Sequence, residues 1–247
     1  MRLTVQLYTL RDALSTDLEG TLAKVKEIGL EYVEIAGFYG KSAAEWKTML
    51  DGLGLKVSGS HTGIDLLLSD LDAVIADSKT LENPYIILPW IGGDWIAKGW
   101  AELGKVADGI GAKITEAGLT FAYHNHDFEF VTTDGKLGLD EFYENSDPAN
   151  VKAQLDLAWV SIGGVDPVAY LQQMSGRVPL VHVKDYDPTK TPRWQAAGEG
   201  ILDFDAILPA AEAAGVQFAG IELDESAEDP ILSVRKSFDY FASKGLK

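Results

Sequence analysis

The feature that most constrains this chain is an alternation, repeated eight times, of a short β-rich run and a longer amphipathic segment. The runs are Leu3 to Tyr8, Tyr32 to Ala36, Leu55 to Ser60, Tyr85 to Leu88, Leu119 to Asn125, Val151 to Asp156, Pro179 to Lys184 and Phe218 to Leu223. Between them lie helical stretches such as DLEGTLAKVKEIG, SAAEWKTMLDGLG, AELGKVADGIGAKITEAG and DFDAILPAAEAAG, and Ile231 to Lys244 supplies the last. Strands alternating with helices build a parallel sheet, and eight regular units without a GxGxxG turn favour closure over an open doubly wound sheet. The expected fold is α/β, a (β/α)₈ TIM barrel forming a single domain over residues 1–247.

Four helical segments end in a glycine and an apolar residue that lead straight into a strand: Gly29-Leu30, Gly54-Leu55, Gly118-Leu119 and Gly215-Val216. These short turns mark one face of the barrel. The longer loops lie at the strand carboxyl ends, where barrels of this kind carry their active sites.

Charge narrows the function classes. With 21 Lys and Arg against 38 Asp and Glu, the formal charge is −17. Such a field repels a long phosphate backbone and an anionic membrane surface, so neither nucleic acid nor membrane is an expected partner. No apolar run is long enough to span a bilayer and the N-terminus lacks a secretory pattern, so a cytoplasmic location is expected. There is no cysteine, so a metal would have to be held by His, Asp and Glu.

The chain has four histidines, His61, His124, His126 and His182, and all fall at the carboxyl end of an expected strand. Side chains alternate between barrel interior and helix layer along a strand, which provides a second test. In FAYHNH, Ala122, His124 and His126 share one side; in AQLDLAW, Gln154 and Asp156; in LVHVKD, His182 and Lys184; in GIELDE, Gly220 and Glu222. One mouth thus collects His124, Asp156, His182 and Glu222 from strands five to eight. A lone inward Asp is commonly hydrogen-bonded scaffold and a lone His a satisfied core residue; the case rests on the convergence of four such groups where unpaired charge is costly. Mixed imidazole and carboxylate ligands suit one divalent ion, among Mn, Co, Mg, Zn, Fe or Ni. Glu34 and His61, across the mouth, are better placed to bind substrate, as is His126.

Among aromatic residues Tyr8, Trp90, Trp95, Trp159 and Trp194 are candidates to stack on a sugar face, Trp159 foremost because it follows the strand end at Asp156, the alternative being core or interface packing. Gln195 lies in a glycine-containing loop after strand seven, which could equally be an ordinary turn.

Taken in order, VQLYTLRD, YVEIAG, AYHNHDFEF, QLDLAWVSIGGVDP, VHVKD, AAGEGILDF and IELDES resemble the xylose-isomerase-like barrel superfamily over nearly the whole chain. They are most similar to its sugar phosphate isomerase/epimerase group and the inosose dehydratase branch. The resemblance implies a metal held by groups matching His124, Asp156, His182 and Glu222. Many epimerases of that group carry Glu where this chain has His124, while the dehydratase branch has a Tyr-His-X-His strand as here. The implied chemistry is proton abstraction beside a carbonyl through an enediolate, with Glu222, Lys184 and His124 as candidate catalytic groups. The first expectation is a metal-dependent isomerase or epimerase acting on a small-molecule keto-sugar or polyol, compatible with a homo-oligomer. The alternatives are a dehydratase using the same site and a non-catalytic carbohydrate-binding barrel. An endonuclease of the superfamily needs a richer His/Glu cluster and a basic surface, which this sequence lacks.

Overall fold

The computed structural model describes residues 1–246. Eight strands form its centre: β1 (Arg2–Gln6), β2 (Tyr32–Ile35), β3 (Lys56–His61), β4 (Tyr85–Leu88), β5 (Thr120–His124), β6 (Val151–Asp156), β7 (Leu180–His182) and β8 (Phe218–Ile221). Each pairs in parallel with its neighbour in sequence and β8 pairs with β1, so the sheet closes. The expected barrel is present.

Crossover helices such as Leu18–Ile28, Ala43–Leu53, Trp100–Glu116, Phe204–Ala214 and Pro230–Ser243 cover the outside. Their starts are written in the sequence. Asp17, Asp203 and Asp229 accept hydrogen bonds from the first free N–H groups of their helices, and Ser42 with Glu45 forms a reciprocal capping box. Their buried stripes pack on the outward residues of the strands, including Val33, Phe121, Tyr123, Leu155, Val181 and Ile221. The inner face is different. Tyr85, Ile87, Ala122, Leu180 and Phe218, with Tyr32, plug the amino-terminal end of the barrel. Above them the interior turns polar, from the Thr4–Ser58 hydrogen bond upward.

Three local departures from the expected strands bear on the site. The first strand ends at Gln6, because the Gln6 side chain accepts the N–H of Tyr8 and winds Leu7–Leu10 into a 3₁₀ turn, which carries Tyr8 out to the mouth. The seventh ends at His182, and the chain then forms a small hairpin pairing Asp185–Tyr186 with Trp194–Gln195. In β3 the register with β2 slips between Val33 and Glu34, so that Val57 lies opposite Val33 but Gly59 opposite Glu34. Val57 belongs to the outer core, and strict alternation from it would send His61 outward. The extra residue resets the alternation, and His61 points into the barrel to reach Gln154.

Candidate metal centre

The carboxyl ends of β5 to β8 bring His124, Asp156, His182 and Glu222 together, each buried, with one ligand-capable atom from each lying within 4.8 Å of the others. Local structure aims these groups. Asp156 caps the short helix Leu157–Ile162 with Oδ1, which accepts the N–H groups of Ala158 and Trp159 at 3.1 and 3.0 Å. Its second oxygen, Oδ2, is buried without a hydrogen-bond partner; Lys184 Nζ stands 2.9 Å away, close enough for ion pairing but not aligned as a donor. The Nδ1 of His124 is likewise buried and unpartnered. Opposite His182, β8 has Gly220, where a side chain would run into the imidazole; the glycine leaves room for that ring.

His182 is held at both nitrogens, Nδ1 against Glu222 Oε2 at 2.9 Å and Nε2 against Glu34 Oε1 at 2.8 Å. Burial alone would lower its pKa, but the Glu222 and Glu34 carboxylates outweigh that and push it up to about 10. Burial would raise Glu222; Lys184 and His182 instead hold it well below the usual carboxylate range. Lys184 is buried too, yet Asp156, Glu222 and Asp224 keep it firmly an ammonium, with Nζ 2.8 Å from Glu222 and 2.7 Å from Asp224. Asp156 is raised to about 6, by burial first. Burial first, and then the charge of His182, keeps the His124 imidazole neutral. Four carboxylates, those of Glu34, Asp156, Glu222 and Asp224, thus face two cations, His182 and Lys184. The surplus of negative charge, the two unpartnered acceptor atoms and a donor set of imidazoles and carboxylates all fit a divalent cation.

Over this floor opens a cavity of about 450 Å³, lined by Tyr8, Ala36, Gly37, His61, Pro89, Trp90, His124, His126, Glu222 and Asp224. Tyr8, His61 and His126 are therefore at the mouth as the sequence pattern placed them. His126 is set by Glu129, whose carboxyl accepts the His126 N–H at 2.9 Å and the Tyr123 hydroxyl at 2.8 Å. Three other expected substrate contacts sit elsewhere. Glu34 lies beneath the cavity, buried against His182. Trp159 packs edge-on against Trp194 and over His126, behind the lining. Gln195 turns away to Lys190 and to the carbonyls of Pro192 and Trp194. Trp90, one of the aromatics expected at the mouth, lines the cavity, and so does Asp224, which carried no assigned role in the sequence pattern. Asp224 was detectable, since it continues the alternation of Gly220 and Glu222.

A closed parallel barrel with a cluster of groups able to ligate a metal at its carboxyl-terminal mouth places the chain in the TIM-barrel class. Residues 22–244 match the xylose isomerase-like TIM barrel family, and the chain belongs to it. An inosose dehydratase from Geobacillus thermodenitrificans is 24% identical over 147 residues, 53% of this chain and 47% of that protein. This chain spans about half to two thirds of the length of its first curated relatives. A sugar phosphate isomerase/epimerase from Parabacteroides distasonis superposes with a TM-score of 0.83 at 24% identity, covering 98% of this chain and 97% of that one. The IolI protein, solved with a bound zinc atom, superposes with a TM-score of 0.72 at 17% identity, covering 99% of each. No helix among the described residues is long and apolar enough to cross a membrane.

Proposed function

We propose that this chain is a divalent-metal-dependent enzyme that removes a proton beside the carbonyl of an unphosphorylated keto-sugar or polyol, and that it works as an isomerase or epimerase. The observation that carries this reading is the convergence of His124, Asp156, His182 and Glu222, one ligand-capable atom of each within 4.8 Å of the others, with Asp156 Oδ2 buried there without a hydrogen-bond partner. Those four residues would hold the ion. When bound, it supplies Lewis-acid stabilisation of the negative charge that develops on a carbonyl oxygen and its neighbouring hydroxyl as the C–H is broken.

The chain's own groups do the rest. Glu222 lines the cavity as an ionised carboxylate and is the candidate to take the proton. His124, kept neutral, serves as a ligand and not as a cation. Lys184 remains an ammonium, which assigns it the donor's part and not the base's. The exposed rings of Tyr8 and Trp90 flank the entrance and offer flat apolar faces to a sugar. No Lys or Arg appears in the lining, and the guanidinium behind Tyr8, that of Arg11, is spent on the carbonyls of Tyr8 and Asp224. No lining side chain is dedicated to a phosphate dianion, which favours a neutral substrate.

Dehydration is the second reading, favoured by the ammonium of Lys184 beside Glu222 and Asp224, a ready proton donor for a leaving hydroxyl, and by the likeness to inosose dehydratase. Incubation with neutral ketoses and inososes in deuterated water tests both. Metal-dependent deuterium uptake beside the carbonyl supports proton abstraction, and retention or loss of the β-hydroxyl separates the two outcomes. Absence of exchange from every neutral substrate, with exchange from phosphorylated ones, would overturn the assignment of substrate class.

A further inference from the structure

Glu34 is buried at the centre of the barrel, and its oxygens are surrounded by hydrogen-bonding groups. Gln6 Nε2 lies 2.5 Å and His182 Nε2 2.8 Å from Oε1, Gln154 Nε2 lies 2.6 Å from Oε2, and His61 Nε2 is 3.0 Å from Oε1. The orientation of the Gln6 amide is settled by its neighbour: its carbonyl oxygen accepts the Tyr8 N–H, so its NH₂ must turn toward Glu34. Gln154 places its NH₂ on the other carboxylate oxygen and its carbonyl oxygen beside His61. A carboxylate so placed accepts and cannot donate, which leaves a proton on the Nε2 of His182.

We propose that Glu34 is a positioning residue that retains the proton on Nε2 of His182, so that a metal displaces the Nδ1 proton, which faces Glu222 in the unloaded cluster, and is held through Nδ1. The inference rests on the metal reading above and adds to it a defined ligand atom. Nδ1 already faces that cluster, 2.9 Å from Glu222 Oε2 and 3.8 Å from Asp156 Oδ2. Gly59, opposite Glu34 at the bulge, backs the carboxylate and keeps its position narrow. Partners of this kind orient the imidazole and raise its basicity toward a cation.

The test uses the full chain and zinc alone. In histidine-¹⁵N-labelled wild type, long-range ¹H–¹⁵N spectra with zinc should show His182 protonated at Nε2 and coordinated through Nδ1. Glu34→Gln, near in shape but uncharged, should bind zinc about 10- to 100-fold more weakly by calorimetric titration, with an unchanged circular dichroism spectrum. Coordination through Nε2 in the wild type overturns the proposal and needs no variant. So does a folded Glu34→Gln protein with the wild-type zinc Kd. A wild type that binds no divalent ion at all overturns the proposed function, and this inference with it.

Discussion

At the scale of single residues, the site is a contest between burial and partners, and each group's state follows from which side wins. Glu129 shows burial winning. It receives two hydrogen bonds that favour the carboxylate, yet its enclosure raises the pKa from 4.5 to about 8. The folded protein therefore holds a proton at Glu129 that the unfolded chain has released between those two values. Stability from this group is complete below about pH 4.5, falls as pH rises through about 8 and is flat beyond. Glu129→Gln, which carries no such proton, should flatten this loss, so the unfolding free energy of the variant in urea titrations should gain on that of wild type by several kcal/mol, as an order of magnitude, between pH 5 and 9. A difference that does not vary with pH would contradict the raised value. At the cluster itself, Asp156→Ala removes an oxygen that has no hydrogen-bond partner and should abolish high-affinity metal binding; with the cap of helix Leu157–Ile162 lost as well, it should cost about 1 to 2 kcal/mol of stability in thermal unfolding.

At the scale of elements, alternation along the strands made much of the site legible. His124, Asp156, His182 and Glu222 were placed inside by counting in twos, and the strands hold that register. Counting fails where the backbone is irregular. His61 reaches the interior through the bulge in β3, and a bulge leaves no mark in the alternation of SGSH. Tyr8 reaches the mouth because a Gln6 side chain ends the strand, and Gln195 leaves it because a hairpin follows β7. Glu34 was correctly read as inward, but depth along the barrel axis depends on strand stagger, which no single strand records. Two substitutions probe the elements. Gly220→Ala would press on the His182 ring and should lower stability by about 1 to 3 kcal/mol while weakening metal binding. Asp185 accepts the N–H groups of Gly198, Gly200 and Leu202 and so ties down the loop after the hairpin that carries Trp194. Asp185→Ala should cost about 3 kcal/mol and make that loop sensitive to limited proteolysis, with metal content unchanged.

At the scale of the whole molecule, the division of the barrel interior governs function. An apolar plug closes the amino-terminal end, a hydrogen-bonded layer around Glu34 sits above it, and the ion-binding groups form the floor of the cavity. A stable fold thus carries, at one end, a surplus of buried carboxylate that a cation would relieve. Binding to the folded state alone predicts that an ion at about 100 times its Kd stabilises the chain by roughly 2.7 kcal/mol, a rise in Tm of about 5 to 10 °C that a chelator reverses. The central claim is tested most directly by elemental analysis of purified wild type beside Asp156→Ala and Glu222→Ala. One divalent ion per wild-type chain, lost in both variants, is the predicted result. A wild type without metal after exposure to Mn, Co and Zn, or variants that retain a full equivalent, would contradict it.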